Sequence, residues 1–281
     1  MKKIDLHIHS TASDGKLSPK EIVDLAIKNN LSAIAITDHD TPQGSKEARE
    51  YSKNKNIEIV EGIEITVTPP ENCKELHIVG LFIDSKDHKL NSIKKNNEKI
   101  VEKAIREILD KLNKLGYKIK FEELVTGGEK NLNRPFIANI LLKKYPNDFL
   151  DRKDIFNKLL GKNGKAFVIP KATELDLAIK MVHDAKGIAI LAHPWFLGDE
   201  MKSVIKKFAD FGGDGIEKYH SIKDNISNEK DLELKKMIKK YNLSISGGTD
   251  FHEVIEHKPQ IGDIGISKKE FKKLKEFNKK C

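Results

Sequence analysis

Cysteine is scarce in this chain, and the two present, Cys73 and Cys281, form neither a disulfide framework nor a metal pair by spacing. Reduced thiols in a cytoplasmic protein are the expectation. No stretch approaches the roughly 20 apolar residues of a membrane span, and Met1-Lys2-Lys3-Ile4 leads straight into a motif, which reads as a start without a signal peptide. A Gly-rich phosphate loop of the Walker type is missing, so ATP-driven chemistry is not indicated. No Ser or Cys nucleophile motif appears. Nor is there an aromatic-rich basic stretch of the kind that stacks single strands, so long nucleic acid as a partner is not established. Internal repeats and low-complexity linkers are absent too.

What the chain does have is length and positive charge. Its 281 residues suffice for a sizeable core, as one large α/β domain or one domain plus an insert. The formal charge of +8 favours anionic partners and would steer phosphorylated substrates inward. A solvated lysine-rich surface, ending in Lys268-Lys269, Lys272-Lys273 and Lys279-Lys280, is the other reading of the same charge.

Short apolar runs alternate with longer amphipathic ones. Ile4, Leu6 and Ile8 alternate with Asp5, His7 and His9, the period of a strand. Ser18-Pro19-Lys20-Glu21 reads as a capping box that opens a helix. Strands are expected over 31–37, 57–66 and 75–83, with a helix over 43–54. From about 89 to 165 no strand is expected. There Ile93, Ile100, Ala104, Ile108, Leu112 and Leu115 recur at helical spacing up to Gly116, and shorter helices fit 122–125, 135–144 and 151–160. Alternation resumes with strands over 188–192, 215–219 and 243–246 between helices over 174–186, 200–211 and 228–241. A second capping box at Ser267-Lys268-Lys269-Glu270 opens a terminal helix. Such β–α repeats imply parallel strands with helices outside. Residues 1–88 and 166–281 are therefore expected to form an α/β barrel, and 89–165 a helical insertion.

The chemistry-bearing residues end the apolar runs. They are Asp5-Leu6-His7-Ile8-His9 followed by Asp14, Thr37-Asp38-His39-Asp40, Gly62-Ile63-Glu64, Leu76-His77, Ala192-His193-Pro194 and Thr249-Asp250-Phe251-His252. Taken singly, each is a weak signal. Together they share one placement, at or just after the C-terminal end of a strand, where α/β barrels carry their active sites. His7, His9, Asp14, His39, Glu64, His77, His193, Asp250 and His252 are too many ligands for one ion. Imidazoles with carboxylates suit Mn, Fe(II) or Zn, and a site with several such metals is built to bind phosphate and hydrolyse its esters. Asp38 and Asp40, which flank His39, are read as orienting it or a metal water. His88, His183 and His257 are taken as surface residues.

The motifs DLHIHS, SDG, ITDHDT, GIEIT, LHIVG, LAHP and GTDFH, running from residue 5 to 252, closely resemble the PHP (polymerase and histidinol phosphatase) family of metal-dependent phosphoesterases. The resemblance implies a distorted (β/α)7 barrel with a helical insertion and three divalent ions, Mn2+, Fe2+ or Zn2+, at its C-terminal rim. It further implies that His7, His9, Glu64 and Asp250 hold one ion, that Glu64, His77 and His193 hold a second, and that Asp14, His39 and His252 hold the third. Many family members carry His where this chain has Asp14, and a carboxylate there shifts preference toward oxygen-seeking metals such as Mn.

Within the family, Asn133-Arg134-Pro135-Phe136-Ile137-Ala138 and the insertion are similar to the subgroup acting on nucleotides, nucleoside 3′,5′-bisphosphates and the 5′ ends of short RNAs, with Phe136 in place of that subgroup's His. The resemblance implies that Glu64, His193 and Asp250 serve catalysis and that Arg134 binds a substrate phosphate. His220 stands at another strand end as a phosphate ligand, a residue behind the metal ligands or an exposed loop histidine. The expected activity is phosphomonoester hydrolysis by hydroxide drawn from water whose pKa metals lower to about 7. The expected partner is a small phosphorylated substrate, a nucleotide or short oligoribonucleotide, and no membrane. Histidinol-phosphate phosphatase, a 5′-to-3′ exonuclease on short RNA and a catalytically silent metal- or nucleotide-binding module are the alternatives.

Overall fold

Ser18 opens the first helix through a reciprocal cap. Its side chain accepts from the Glu21 N–H, and its own N–H donates to the Glu21 carboxylate at 2.8 Å. The computed structural model of the chain describes residues 4–70, 73, 75–126, 129, 130, 132–168, 173–221 and 227–279. In chain order the elements begin with α1 (Pro19–Lys28), β1 (Ala33–Ile36), α2 (Gln43–Tyr51), β2 (Glu58–Thr66) and β3 (His77–Leu81). The long α3 (His88–Lys114) follows, then a 3-10 turn (Phe121–Leu124), β4 (Val125–Thr126), β5 (Glu129–Lys130), α4 (Arg134–Lys144), α5 (Arg152–Ile155) and a π turn (Phe156–Leu160). The last part holds α6 (Leu175–Asp184), β6 (Ile188–Leu191), a 3-10 stretch (Pro194–Glu200), α7 (Met201–Asp210) and β7 (Gly215–Tyr219). It closes with α8 (Asn228–Lys240), β8 (Ser244–Gly247) and α9 (Lys268–Asn278). Among the described residues no helix is long and apolar enough to cross a membrane.

The chain divides into two compact units, Met1–Lys94 with Thr173–Cys281, and Lys95–Ala172. The first is an α/β unit whose sheet has the order β1-β2-β3-β6-β7-β8. Pairs β1/β2, β6/β7 and β7/β8 are parallel, as the β–α alternation leads one to expect. Strand β3, however, runs antiparallel to both β2 and β6. The connection over 67–76 is too short for the helical crossover that a parallel pair requires.

Residues 4–9 do not form the regular strand that their alternation suggests. They make isolated bridges, Asp5 with Ile34 and Ile8 with Phe251, both parallel, and Ile4 with Ile266, antiparallel. Ala35 N–H donates to Asp5 O at 2.9 Å and Leu6 N–H to Gly247 O at 3.2 Å, so the segment hydrogen-bonds beside both edge strands and the sheet curls round to meet it. Ile4 and Leu6 pack in one core cluster and Ile8 in another, which breaks the simple two-residue period.

Alternation along the strands sorts the core. Ala33, Ala35, Val60, Val79, Leu81, Ile188 and Ile190 gather on the inner side, where Phe271 and Leu274 of α9 close one end. Their neighbours Ile63, Ile65, Ile78, Ala189, Leu191 and Ile216 face outward onto α6, α7 and α8. Apolar burial of this kind contributes about 1.5–3 kcal/mol per large side chain.

The second unit has its own core, from Ile105, Leu109 and Leu112 of α3 to Ile137 and Leu141 of α4 and Leu160. Asn133 caps α4 by accepting from Phe136 N–H at 2.8 Å, with proline in the first turn. Against the expectation of no strand there, β4 and β5 pair antiparallel. Two residues per strand leave no periodicity to read.

Candidate metal centre

One buried carboxylate organises the site. Glu64 continues the inward row of Val60 and Gly62 on β2 and is 1% exposed. Its Oε2 lies 3.2 Å from His7 Nε2, 3.1 Å from His9 Nε2 and 3.2 Å from His39 Nδ1. Its Oε1 lies 3.1 Å from both His77 Nδ1 and His193 Nε2.

Each neighbour arrives by a different route. His39 extends the β1/β2 pairing beyond β1, since Glu64 N–H donates to Asp38 O at 3.1 Å and Asp40 N–H donates to Glu64 O at 2.7 Å. His77 begins β3 rather than ending it, contrary to the expected placement at a C-terminal strand end. Because β3 is antiparallel, its first residue reaches the rim where the parallel strands finish. His193 follows β6 with φ +24°, and Asp250 follows β8 with φ +52°. Such left-handed backbone is costly away from glycine and clusters at functional sites. Asp250 N–H donates to His7 O at 2.9 Å, which brings its Oδ1 to 3.1 Å from His9 Nε2.

All the side chains singled out as candidate ligands converge. The groups His7/His9/Glu64/Asp250, His39/Glu64/His77 and His9/Asp14/His39/His252 each bring one donor atom per residue within 4.8 Å of the others. His193 joins Glu64 and His77, its Nε2 being 3.1 Å from His77 Nδ1. His39 thus stands in two groups, and so does His9. His220 is buried, its Nε2 3.4 Å from Asp250 Oδ2, so it is no exposed loop histidine. Arg134 lies in the second unit, where it donates to Leu160 O at 3.1 Å and sits 5.2 Å from the Phe167 ring centroid.

The donor set fits divalent cations. His7 Nε2 and His9 Nε2 stand 3.1 Å apart, too close for both to carry protons toward each other. A tetrahedral ion with bonds of ~2.0–2.1 Å spaces its ligands by about 3.3 Å. Nδ1 of His9 is buried with no hydrogen-bond partner, a costly state unless a Lewis acid takes the lone pair.

Electrostatics agree. Burial resists charge on Glu64, yet His7, His77 and His193 hold its carboxyl well below the usual range. Asp250 is half-buried, which resists its charge, but it is held down by His7 and by bonds to His220 and His9. The hydrogen bond from His252 keeps Asp14 below the carboxylate range. Burial opposes a cation on His9, but bonds to Asp250 and Glu64 carry it up to about 9, whereas burial pushes His39 down to about 4. Carboxylates kept ionised at the cluster offer oxygens that a divalent cation can take.

Behind the cluster stands Glu217, which the sequence reading passed over in favour of His220. Its Oε1 accepts from His7 Nδ1 at 3.1 Å and its Oε2 from His193 N–H at 2.8 Å. The signal was there: Glu217 follows Gly215 and Ile216 at the inward parity of a buried strand, a position where charge is costly without a purpose. Asp38, read as orienting His39 or a metal water, accepts from Ser10 N–H and Oγ at 2.7 Å and from Ser13 Oγ at 2.6 Å, tying down the loop that carries Asp14. Asp40 accepts from Thr66 N–H at 2.8 Å. Asp5 accepts from Thr249 Oγ1 at 2.7 Å and Gly262 N–H at 3.0 Å, joining the first segment to the last loops.

Known proteins resemble this chain. The chain is 34% identical over 256 residues to a 5′-3′ exoribonuclease of Haemophilus influenzae, covering 89% of this chain and 90% of that one. It is 29% identical over 271 residues to a 3′,5′-nucleoside bisphosphate phosphatase of Chromobacterium violaceum, with 93% and 91% covered. A solved structure from Chromobacterium violaceum described as an amidohydrolase, with bound sulfate and no metal, superposes with a TM-score of 0.68 at 26% identity over 98% of this chain and 96% of that one. The PHP domain family model matches residues 5–185, and the chain belongs to the PHP domain family.

Proposed function

We propose that this PHP-family hydrolase removes phosphate from nucleotides, with a nucleoside 3′,5′-bisphosphate, AMP or the 5′ end of a short RNA as substrate, at a cluster of three divalent ions. The observation that carries this reading is Glu64, whose two oxygens each meet a separate set of imidazoles, His7, His9 and His39 on one side and His77 and His193 on the other. A bridging carboxylate is what adjacent ions share. Mn2+, Fe2+ or Zn2+ suits the donors, and the carboxylate of Asp14 favours Mn2+. Such ions, when bound, activate water at neutral pH and neutralise the phosphoryl oxygens.

The chain's own residues hold the donors ready. Glu217 accepts a hydrogen bond from His7 Nδ1–H, which leaves the Nε2 lone pair facing Glu64 and Asp250. His252 Nδ1 donates to Asp250 O at 3.0 Å, which turns its Nε2 toward Asp14. His220 rests on Asp250 Oδ2 and fixes that carboxylate. On the motif alone, Arg134 is assigned to a substrate phosphate, which a guanidinium grips through two oxygens, and the helical insertion to substrate binding. The Haemophilus influenzae and Chromobacterium violaceum relatives, one named an exoribonuclease and one a bisphosphate phosphatase, support a nucleotide substrate. With two cysteines the expected compartment is the cytoplasm.

The test is phosphate release by Mn-loaded protein from nucleoside 3′,5′-bisphosphate, AMP, histidinol phosphate and 5′-phosphorylated RNA, with His193→Ala as control. Preference for the nucleotides, lost in His193→Ala, is expected. Preference for histidinol phosphate overturns the substrate, and no release from any compound overturns the activity.

A further inference from the structure

Three consecutive apolar residues follow His193-Pro194, and they part company. Trp195 and Leu197 are buried at 6% and 3% exposure, whereas Phe196 between them is 37% exposed. The turn that presents it is fixed at both ends. Phe196 N–H donates to His193 O at 3.0 Å, His193 has φ +24°, and Gly198 lies at φ +56°, ψ −125°, where a side chain is scarcely tolerated. The Phe196 ring leans on the cluster, its centroid 5.0 Å from that of His193 and 5.8 Å from that of His220. His193 Nε2 in turn touches Glu64.

We infer that Phe196 is a specificity-determining residue, a stacking platform for the base of a nucleotide whose phosphate lies at the cluster; this rests on the nucleotide reading above. An exposed ring held against His193 and His220 gains by being covered. A nucleobase is the part of such a substrate with a flat apolar face, and stacking serves any base because it needs no particular hydrogen-bond pattern. Simple sugar phosphates have nothing to lay on the ring.

The experiment compares kcat/KM for AMP and for ribose 5-phosphate, its base-free counterpart, in Mn-loaded wild type, Phe196→Ala and Phe196→Trp. Measuring both substrates on one preparation cancels losses of folded protein. The AMP-to-ribose 5-phosphate ratio is expected to fall about 5- to 100-fold in Phe196→Ala and to return in Phe196→Trp. An unchanged ratio in Phe196→Ala removes the platform alone and leaves the nucleotide phosphatase standing. Wild type that releases phosphate from a nucleoside 3′,5′-bisphosphate but not from AMP removes the platform for AMP, and release from none of the three compounds strikes at the phosphatase reading and takes the platform with it.

Discussion

Glu217 Oε1 accepts a hydrogen bond from His7 Nδ1 at 3.1 Å, and the two side chains are 2% and 1% exposed. Neither meets solvent, so water does not compete for this hydrogen bond. It selects the tautomer with a free Nε2 and raises the basicity of that nitrogen. The same residue accepts from His193 N–H through its other oxygen, so one buried carboxylate supports two candidate ligands on opposite sides of Glu64.

Weakening that support should show in metal affinity before it shows in fold. Glu217→Gln is expected to lower the affinity for Mn2+ about 10- to 100-fold. Calorimetric titration of the metal-free protein measures it. Unaltered affinity with full activity would contradict the role given to Glu217.

Gly248 passes against the first segment so closely that a Cβ there would collide with the backbone nitrogen of His7 and stand 2.6 Å from its Cβ. Neither neighbour can withdraw, because His7 is buried and bonded at both ring nitrogens. Gly248→Ala is therefore expected to cost about 1–3 kcal/mol of stability, and to displace His7. Thermal unfolding with and without Mn2+ should show a lowered Tm and a smaller rise on metal addition.

Away from the site, His183 Nε2 meets Asp214 Oδ2 at 2.7 Å. That hydrogen bond raises the imidazole's pKa above its ordinary 6.5 in the folded state. A raised folded pKa means a contribution fully present below pH 6.5 and lost as pH climbs through the higher folded value. His183→Gln should thus lose up to about 1 kcal/mol relative to wild type at pH 5.5, solvent screening included, and little at pH 9. Urea unfolding at the two pH values decides it; an equal loss at both would show that charge is not involved.

The end of the sheet unit is closed by α9, which begins at the Ser267/Glu270 capping box and buries Phe271 and Leu274 against the inner strand residues. Leu274→Ala is expected to cost about 2–5 kcal/mol and Ser267→Ala about 1 kcal/mol. Chemical denaturation should rank them in that order, and a reversed order would mean that the helix is held by its cap rather than by its packing.

Much of this was legible in the sequence because the relevant chemistry is local. Capping boxes at Ser18 and Ser267 are short patterns, and the histidines and carboxylates sit where apolar runs stop. The direction of β3 was not legible. Residues 75–83 read as a strand either way, and its sense depends on the length of the connection before it. His77 was therefore recognised as a candidate ligand but placed at the wrong end of its strand. Glu217 hid in a strand noted only for His220, because a buried carboxylate looks like any other until its partners are known. The alternation of Ile4, Leu6 and Ile8 suggested a regular strand, but the segment makes only isolated bridges. Phe196 carries no signal at all in one dimension; its neighbours Trp195 and Leu197 are equally apolar, and only the backbone path separates the exposed ring from the buried ones.

The most direct measurement is the number of Mn2+ ions retained per chain, counted by elemental mass spectrometry after reconstitution, in wild type and in Glu64→Gln. Three donor groups are linked in pairs by Glu64, His9 and His39, so three ions in wild type are expected, with more than one lost in Glu64→Gln because both sides of the carboxylate are affected. Wild-type protein that holds a single ion or none, or a Glu64→Gln variant that keeps the full set, would contradict the cluster.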